Sequence, residues 1–153
     1  MRSNNGQTMN GESSMGEEMR LEQYRRKLEF ISDKISRLPE EPGNDEFYWD
    51  ALFYRLQISI DACMDIIAML CKDLGVVVGD DHSNIDELIS TNIMDPEILR
   101  AFHGLNGLRN VLVHRYNKIE NDLVIAEKDD VVSTITRFLT SVEEIINARF
   151  TTN

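Results

Sequence analysis

The sequence predicts an all-α protein, an antiparallel up-and-down bundle of four to five helices. Apolar residues recur at spacings of three and four along most of the chain, which is the period of an amphipathic helix. Aromatic residues make up only 7% of the chain and proline occurs only three times, so a β-sandwich is disfavoured. No convincing pair of strands is visible, so the helices must pack against one another.

The chain has the length of one ordinary domain, with 153 residues. We expect a disordered tail at residues 1–16 and a single helical domain at residues 17–150. The tail is rich in Asn, Ser, Gly and Met, and it holds too few apolar side chains to offset the entropy lost on ordering. It also lacks the apolar stretch of a signal peptide.

The first helix is predicted at residues 17–38, and it concentrates the sparse positive charge of the chain. Its single apolar stripe consists of Leu21, Tyr24, Leu28, Ile31, Ile35 and Leu38. The basic residues between them are Arg20, Arg25, Arg26, Lys27, Lys34 and Arg37. Pro39 and the Pro42-Gly43 pair then end the helix.

The second helix is predicted to begin after the cap Asp45 and to stop at Gly75. Two rows of apolar residues cover most of its circumference, so we expect neighbours on several sides and a homodimer that completes the cover. One polar stripe interrupts the apolar surface. It consists of Tyr54, Gln57, Asp61 and Asp65. The stripe is either a solvated edge or the lining of a cleft.

A short helix is predicted at residues 84–90, with Asn84 as its cap. Residues 117–128 are predicted as a polar connection, and the last helix is predicted at residues 129–148.

Between these segments, a fourth helix is predicted from the cap Asp95 to about Tyr116. Gly104 and Gly107 lie inside it, where glycine costs helix stability. We therefore expect another backbone or a ligand to approach closely there.

The net charge excludes some classes of binding partner, and the cysteine content indicates the cellular compartment. A formal net charge of -11 argues against a protein that coats duplex DNA or an anionic membrane, although a small phosphate site remains compatible with it. No apolar run approaches the roughly 20 residues that cross a bilayer. On one helix, the Cα atoms of Cys63 and Cys71 would lie about 12 Å apart, too far for a disulfide. We expect a reduced, cytoplasmic protein.

Residues 109–116 read RNVLVHRY and combine polar side chains of the types used in catalysis. Asn110 and His114 are four apart and share a helical face, as do Arg109 and Tyr116. Arg109 and His114 are separated by about 140° on an ideal helix. Joint action on one substrate needs a distorted helix end, long side chains or a second subunit. Each residue alone is compatible with an ordinary structural role.

The segment resembles the signature of HEPN-domain ribonucleases, in which Arg and a polar residue precede His by a short spacer. Its tighter form, Arg-Asn, three residues, His, one residue, Tyr, resembles the HepT-like toxins of prokaryotic toxin–antitoxin pairs. Arg109, Asn110, His114 and Tyr116 match that form position by position. The RLQ and ID segments that contain Gln57 and Asp61 are also similar to this family. The resemblance covers roughly residues 21–146.

The resemblance implies a metal-independent RNA endonuclease with no cofactor, which acts as a HEPN-like homodimer with both motifs facing one cleft. The catalytic residues would be Arg109 and His114. A histidine exchanges protons near neutral pH, and an arginine can stabilise the charge of a phosphorane-like transition state. The RNA 2′-hydroxyl would attack the adjacent phosphate and leave a 2′,3′-cyclic phosphate. The supporting residues would be Asn110, Tyr116, Gln57 and Asp61.

The resemblance also implies a partner, because HepT-like toxins are paired with a minimal nucleotidyltransferase antitoxin in a type VII-like toxin–antitoxin pair. The antitoxin transfers AMP to a tyrosine that corresponds to Tyr116. AMP adds a negative phosphate and a bulky base, which would occupy Arg109 and repel RNA.

Two other classes of protein compete with the nuclease. A carboxylate-bridged metal bundle needs Glu-x-x-His pairs, and none precedes His82, His103 or His114. Tight zinc spacing is absent as well. The stronger alternative is a non-catalytic HEPN module that binds a nucleotide or a nucleotidyltransferase partner. The presence of both Arg109 and His114 favours the enzyme, since binding alone does not need a titrating histidine.

Overall fold

The structure is a computed structural model that describes residues 5–39, 45–114 and 119–150, with the backbone alone at 5–14, 119 and 120. It contains five helices: α1 (Asn5–Ser36), α2 (Glu46–Asp73), α3 (Asp81–Ser90), α4 (Pro96–Val113) and α5 (Ile119–Phe150). No strand occurs in these ranges. The predicted all-α fold is confirmed.

α2 is the central helix, because each of the other four packs against it. Its buried side chains face several directions, as its two apolar rows predict. Two ion pairs, Arg20 with Asp73 and Lys27 with Asp65, show that α1 and α2 run antiparallel, because the later residue of α1 pairs with the earlier residue of α2. Among the described residues, α1 and α4 do not pack against each other. These two helices therefore leave a strip of α2 open between them.

A buried tyrosine fastens α1 to α2. Tyr24 is fully buried, and its hydroxyl donates a hydrogen bond to the carboxylate of Asp73. Arg20 donates to the same carboxylate through Nε at 3.0 Å. Burial, together with this hydrogen bond, raises the pKa of Tyr24 far above its usual range, so the phenol stays a donor. This contact fixes the register of α1 along α2.

The predicted caps of α2 and α4 are confirmed, and that of α3 is wrong. Asp45 and Asp95 each accept a backbone N–H in the first turn of their helices. α3 begins earlier than predicted, and its cap is Asp80, which accepts from the backbone N–H of Ser83. Asn84 is instead buried, and its side chain bonds to both the N–H and the carbonyl of Gly79. The side-chain amide of Asn84 therefore holds the backbone of the loop before α3, and it does not cap the helix.

The boundaries of α4 and α5 also differ from the prediction. α4 ends at Val113, and α5 begins at Ile119, inside the segment predicted as a polar connection. The reason is Val124, which is fully buried and lies two helical turns before Val131, so it extends the apolar row of α5. The start of α5 therefore packs into the core before residue 129.

α1 begins at Asn5, before the predicted start at residue 17, so the backbone is helical in part of the predicted disordered tail. Extending an existing helix avoids the cost of nucleation, which favours such growth. Met15 and Met19 are exposed, so this part of α1 adds little to the core. Residues 1–4 lie outside the described ranges.

Two further expectations can be compared with the fold. A Cβ added to Gly104 or Gly107 would meet no atom within 4 Å, so the close approach expected there does not occur among the described residues. Cys63 and Cys71 are buried free thiols, and burial raises the pKa of each. Across the described residues, no helix is long and apolar enough to span a membrane. The homodimer stays a prediction.

Candidate active site

Arg109 lies in the last turns of α4 and reaches across to α2. Its Nε donates to Oδ1 of Asp61 at 2.7 Å. The two side chains are 33% and 37% exposed, so the ion pair lies at the edge of the open strip rather than in the core. Asp61 thereby fixes the plane of the guanidinium, since a charged hydrogen bond of this length is strongly directional.

Asn110 supplies a second acceptor for the same guanidinium. Its side-chain oxygen accepts from Nη1 of Arg109 at 3.2 Å. A guanidinium has five N–H donors in a rigid fork, and these two contacts use two of them. The fork is therefore oriented by the protein while it keeps donors for an anionic ligand.

His114 forms the cap at the end of α4. Its backbone leaves the helical region, with φ −104° and ψ 40°, and its N–H donates to the carbonyl of Asn110 at 3.2 Å. The residue is exposed. The bond to Asn110 is the ordinary i to i−4 bond of an α-helix, so the chain leaves the helical conformation only at His114 itself.

The polar stripe of α2 lies between α1 and α4 and is held from both sides. Arg109 of α4 pairs with Asp61, and Lys27 of α1 pairs with Asp65 at 3.1 Å. Gln57 lies one turn before Asp61 and is half-buried, and Tyr54 is exposed. This arrangement favours the interpretation of the stripe as a cleft.

Tyr116 lies outside the described residues, so its predicted role as a supporting and modified residue stays a prediction. The structure brings Arg109 and Asn110 into contact with each other, and Arg109 into contact with Asp61. No contact of Gln57 with this group is observed. The sequence could not reveal the pairing of Arg109 with Asp61, since the two residues are far apart in the chain and many acids were available.

A second polar cluster lies on α3 and α4, away from the motif. Nε2 of His103 contacts Asp86 at 2.8 Å, and Nε2 of His82 lies 3.6 Å from the same carboxylate. The two imidazole rings stand 4.4 Å apart. Within the described ranges, no group of three or more His, Cys, Asp or Glu residues is arranged to hold a metal ion.

Known proteins resemble this chain in sequence and in fold. The family model described as "Ribonuclease HepT-like" matches residues 21–148. A relative from Archaeoglobus fulgidus, named as a candidate RNase, is 40% identical over 128 residues, which cover 84% of this chain and 96% of that protein.

Two solved structures share the fold at low sequence identity. One is a toxin–antitoxin with AMP-PNP, with a TM-score of 0.70, 19% identity, and coverage of 78% of this chain and 96% of that one. The other is a tri-AMPylated Shewanella oneidensis HEPN toxin in complex with its MNT antitoxin, with a TM-score of 0.64, 17% identity, and coverage of 84% and 96%.

The fold and the motif together define an all-helical domain of the ribonuclease class. The chain belongs to the Ribonuclease HepT-like family. The resemblance read from residues 109–116 is thereby confirmed at the level of the family, while the role of each residue stays a prediction.

Asp61 gives the first test of the site. We expect Asp61→Asn to lower the kcat for RNA cleavage about 10- to 100-fold, because Arg109 loses the carboxylate that orients it. The thermal unfolding midpoint should change little, since a partly exposed ion pair contributes about 1 kcal/mol or less. Asp61→Glu should recover part of the rate. Single-turnover cleavage and thermal unfolding measure the two effects.

The matched control is Asp33→Asn, which removes an exposed carboxylate paired with Arg37 on α1. It should leave kcat unchanged. A positioning role for Asp61 is wrong if Asp61→Asn cleaves at the wild-type rate, or if the rate falls only in proportion to the unfolded fraction.

Proposed function

We propose that this protein is a metal-independent RNA endonuclease and the toxin of a HEPN/MNT toxin–antitoxin pair. Its family supports the nuclease, and the toxin–antitoxin structures that share its fold support the pairing. The observation that carries the proposal is the guanidinium of Arg109, which Asp61 and Asn110 hold in place on the helix that ends at the exposed His114.

The proposed reaction is a transesterification within RNA. The 2′-oxygen forms a bond to the adjacent phosphorus, the bond from phosphorus to the 5′-oxygen breaks, and a 2′,3′-cyclic phosphate remains. One proton leaves the 2′-hydroxyl and one reaches the 5′-oxygen. His114 acts as a proton-transfer group, because an imidazole can both accept and donate a proton near neutral pH.

Arg109 stabilises the phosphorane-like transition state in this proposal. The transition state carries more negative charge on its equatorial oxygens than the substrate does, and a planar fork of donors can bind two of them. Asp61 and Asn110 hold the fork before the substrate arrives, so little reorganisation is needed during the reaction.

A homodimer would bring two motifs to one cleft and let each subunit complete the other's proton transfers. Exposed apolar side chains support this part of the proposal. They are Val113 at the end of α4 and Leu123 and Ile125 near the start of α5. The end of α4 and the start of α5 flank the motif, so a subunit contact there would bury these side chains beside both motifs.

Removal of either proposed catalytic residue should abolish most RNA cleavage. We expect His114→Ala to lower kcat about 10²- to 10⁴-fold and Arg109→Ala about 10²- to 10³-fold. Cleavage of a fluorogenic RNA in EDTA measures both, and the wild-type activity should survive chelation. Thermal unfolding should show that both variants are folded.

Two substitutions on exposed residues serve as matched controls. His82→Ala removes an exposed histidine of α3, and Arg100→Ala removes an exposed arginine of α4. Neither should alter cleavage. If His114→Ala and Arg109→Ala cut RNA as well as wild type, the catalytic proposal fails. A folded wild-type protein that binds the transferase but never cleaves RNA would instead be the non-catalytic module.

We further propose that AMP transfer to Tyr116 by a cognate nucleotidyltransferase neutralises the protein. The added phosphate would compete with RNA for Arg109, and the base would block the cleft. Co-expression with the transferase should add one or more AMP masses to a peptide containing Tyr116, as measured by mass spectrometry, and should suppress RNA cleavage. Tyr116→Phe should stay unmodified and active, and an unmodified Tyr116 in the wild-type protein would contradict this regulation.

A further inference from the structure

A surface pocket lies between α1 and α2, on the side of Asp61 opposite to α4. Its volume is about 370 Å³, within the range of small-ligand pockets. It is lined by Arg26, Lys27, Phe30, Ile58, Asp61, Ala62 and Asp65. Since Asp61 lines this pocket and also pairs with Arg109, the pocket and the proposed catalytic group share one side chain.

The apolar part of the pocket suits a flat ring. Phe30 is 43% exposed, whereas Tyr24 and Ile31 of the same helix are fully buried, so its ring is available to a ligand. Ile58 and Ala62 lie opposite on α2 and give the pocket an apolar floor. Lys34 places its ammonium 5.4 Å from the centre of the Phe30 ring. An exposed aromatic ring beside cations is the usual platform for a stacked base in single-stranded RNA.

The charged side chains of the pocket are divided between its two walls. Arg26 and Lys27 lie on α1, and the carboxylates of Asp61 and Asp65 lie on α2. A phosphate fits the α1 wall, while the N–H groups on a base edge can donate to carboxylates on the α2 wall. The two walls thus complement the two halves of a nucleotide.

The cations can exchange their present partners for a phosphate at little cost. Arg26 pairs with Glu22 at 2.7 Å, and both side chains are more than half exposed. Lys27 pairs with Asp65, and these side chains are 36% and 63% exposed. Ion pairs exposed to this degree contribute little to stability, so a phosphate competes with them easily.

We propose that this pocket is a nucleotide subsite for single-stranded RNA, in which a base stacks on Phe30 and its phosphate binds Arg26 and Lys27. The subsite holds a nucleotide that flanks the scissile phosphate bound by Arg109. The assignment of RNA as the ligand rests on the proposed function. Through this subsite, an acidic protein can bind RNA locally, where the α1 cations are concentrated.

Equilibrium binding tests the subsite independently of catalysis. The probe is a fluorescein-labelled single-stranded RNA of about eight nucleotides, and the host is the full chain carrying His114→Ala. We expect Phe30→Ala to raise the Kd about 5- to 150-fold, since a stacking side chain is lost. Fluorescence anisotropy measures the Kd. Phe30→Trp should retain the affinity. The double variant Arg26→Gln/Lys27→Gln should weaken binding and make it less dependent on salt.

Two controls match these changes. Phe47→Ala removes a phenylalanine that is 82% exposed at the start of α2, outside the pocket. Arg37→Gln removes a cation of α1 that pairs with Asp33, also outside the pocket. Both should leave the Kd unchanged, and thermal unfolding should show that every variant is folded.

The outcomes separate this inference from the proposed function. If the wild-type chain fails to cleave RNA but Phe30→Ala still weakens binding, the proposed function fails and the subsite stands. Equal affinities for Phe30→Ala and Phe47→Ala overturn the subsite, as does a host protein that does not bind RNA at low salt. Weakened transferase binding with unchanged RNA binding also overturns it and makes the pocket a protein interface.

Discussion

The burial of α2 is the constraint on which the rest of the structure depends. This helix is apolar around most of its circumference, and it is stable in water only when other helices cover it. The other four helices all pack against it. The strip that α1 and α4 leave open carries its polar residues, among them Asp61 and Asp65. The position of the candidate active site thus follows from the packing of the core.

The open strip of α2 is the place where positive side chains gather on an otherwise acidic protein. The chain has a net charge of -11, which disfavours unselective binding of nucleic acid. Arg109 approaches the strip from α4, and Lys27 approaches it from α1. Local cations on an acidic body are consistent with weak, local RNA binding that depends only shallowly on salt. They also leave a compact surface that a partner could cover.

The sequence predicts the helices better than it predicts their ends or their partners. The three-and-four spacing of apolar residues identified α2 and α4, because each has a long row of buried apolar residues. Asp45 and Asp95 marked where they begin. The spacing missed the early start of α5, because one buried valine, Val124, is a weak periodic signal. The motif gave the family and the candidate Arg109, but the pairing of Arg109 with Asp61 depends on how two distant helices pack. The pocket beside Phe30 depends on the same packing, so spacing along one helix could not reveal it.

We propose that the protein cleaves RNA by attack of the 2′-hydroxyl without a metal ion. The nature of the product ends measures this most directly. An RNA oligonucleotide cleaved in EDTA should yield a 2′,3′-cyclic phosphate on one fragment and a 5′-hydroxyl on the other, and a 2′-deoxy substitution at the cleaved position should block the cut. Fragments with 3′-hydroxyl and 5′-phosphate ends, or cleavage that needs an added divalent cation, would contradict the account.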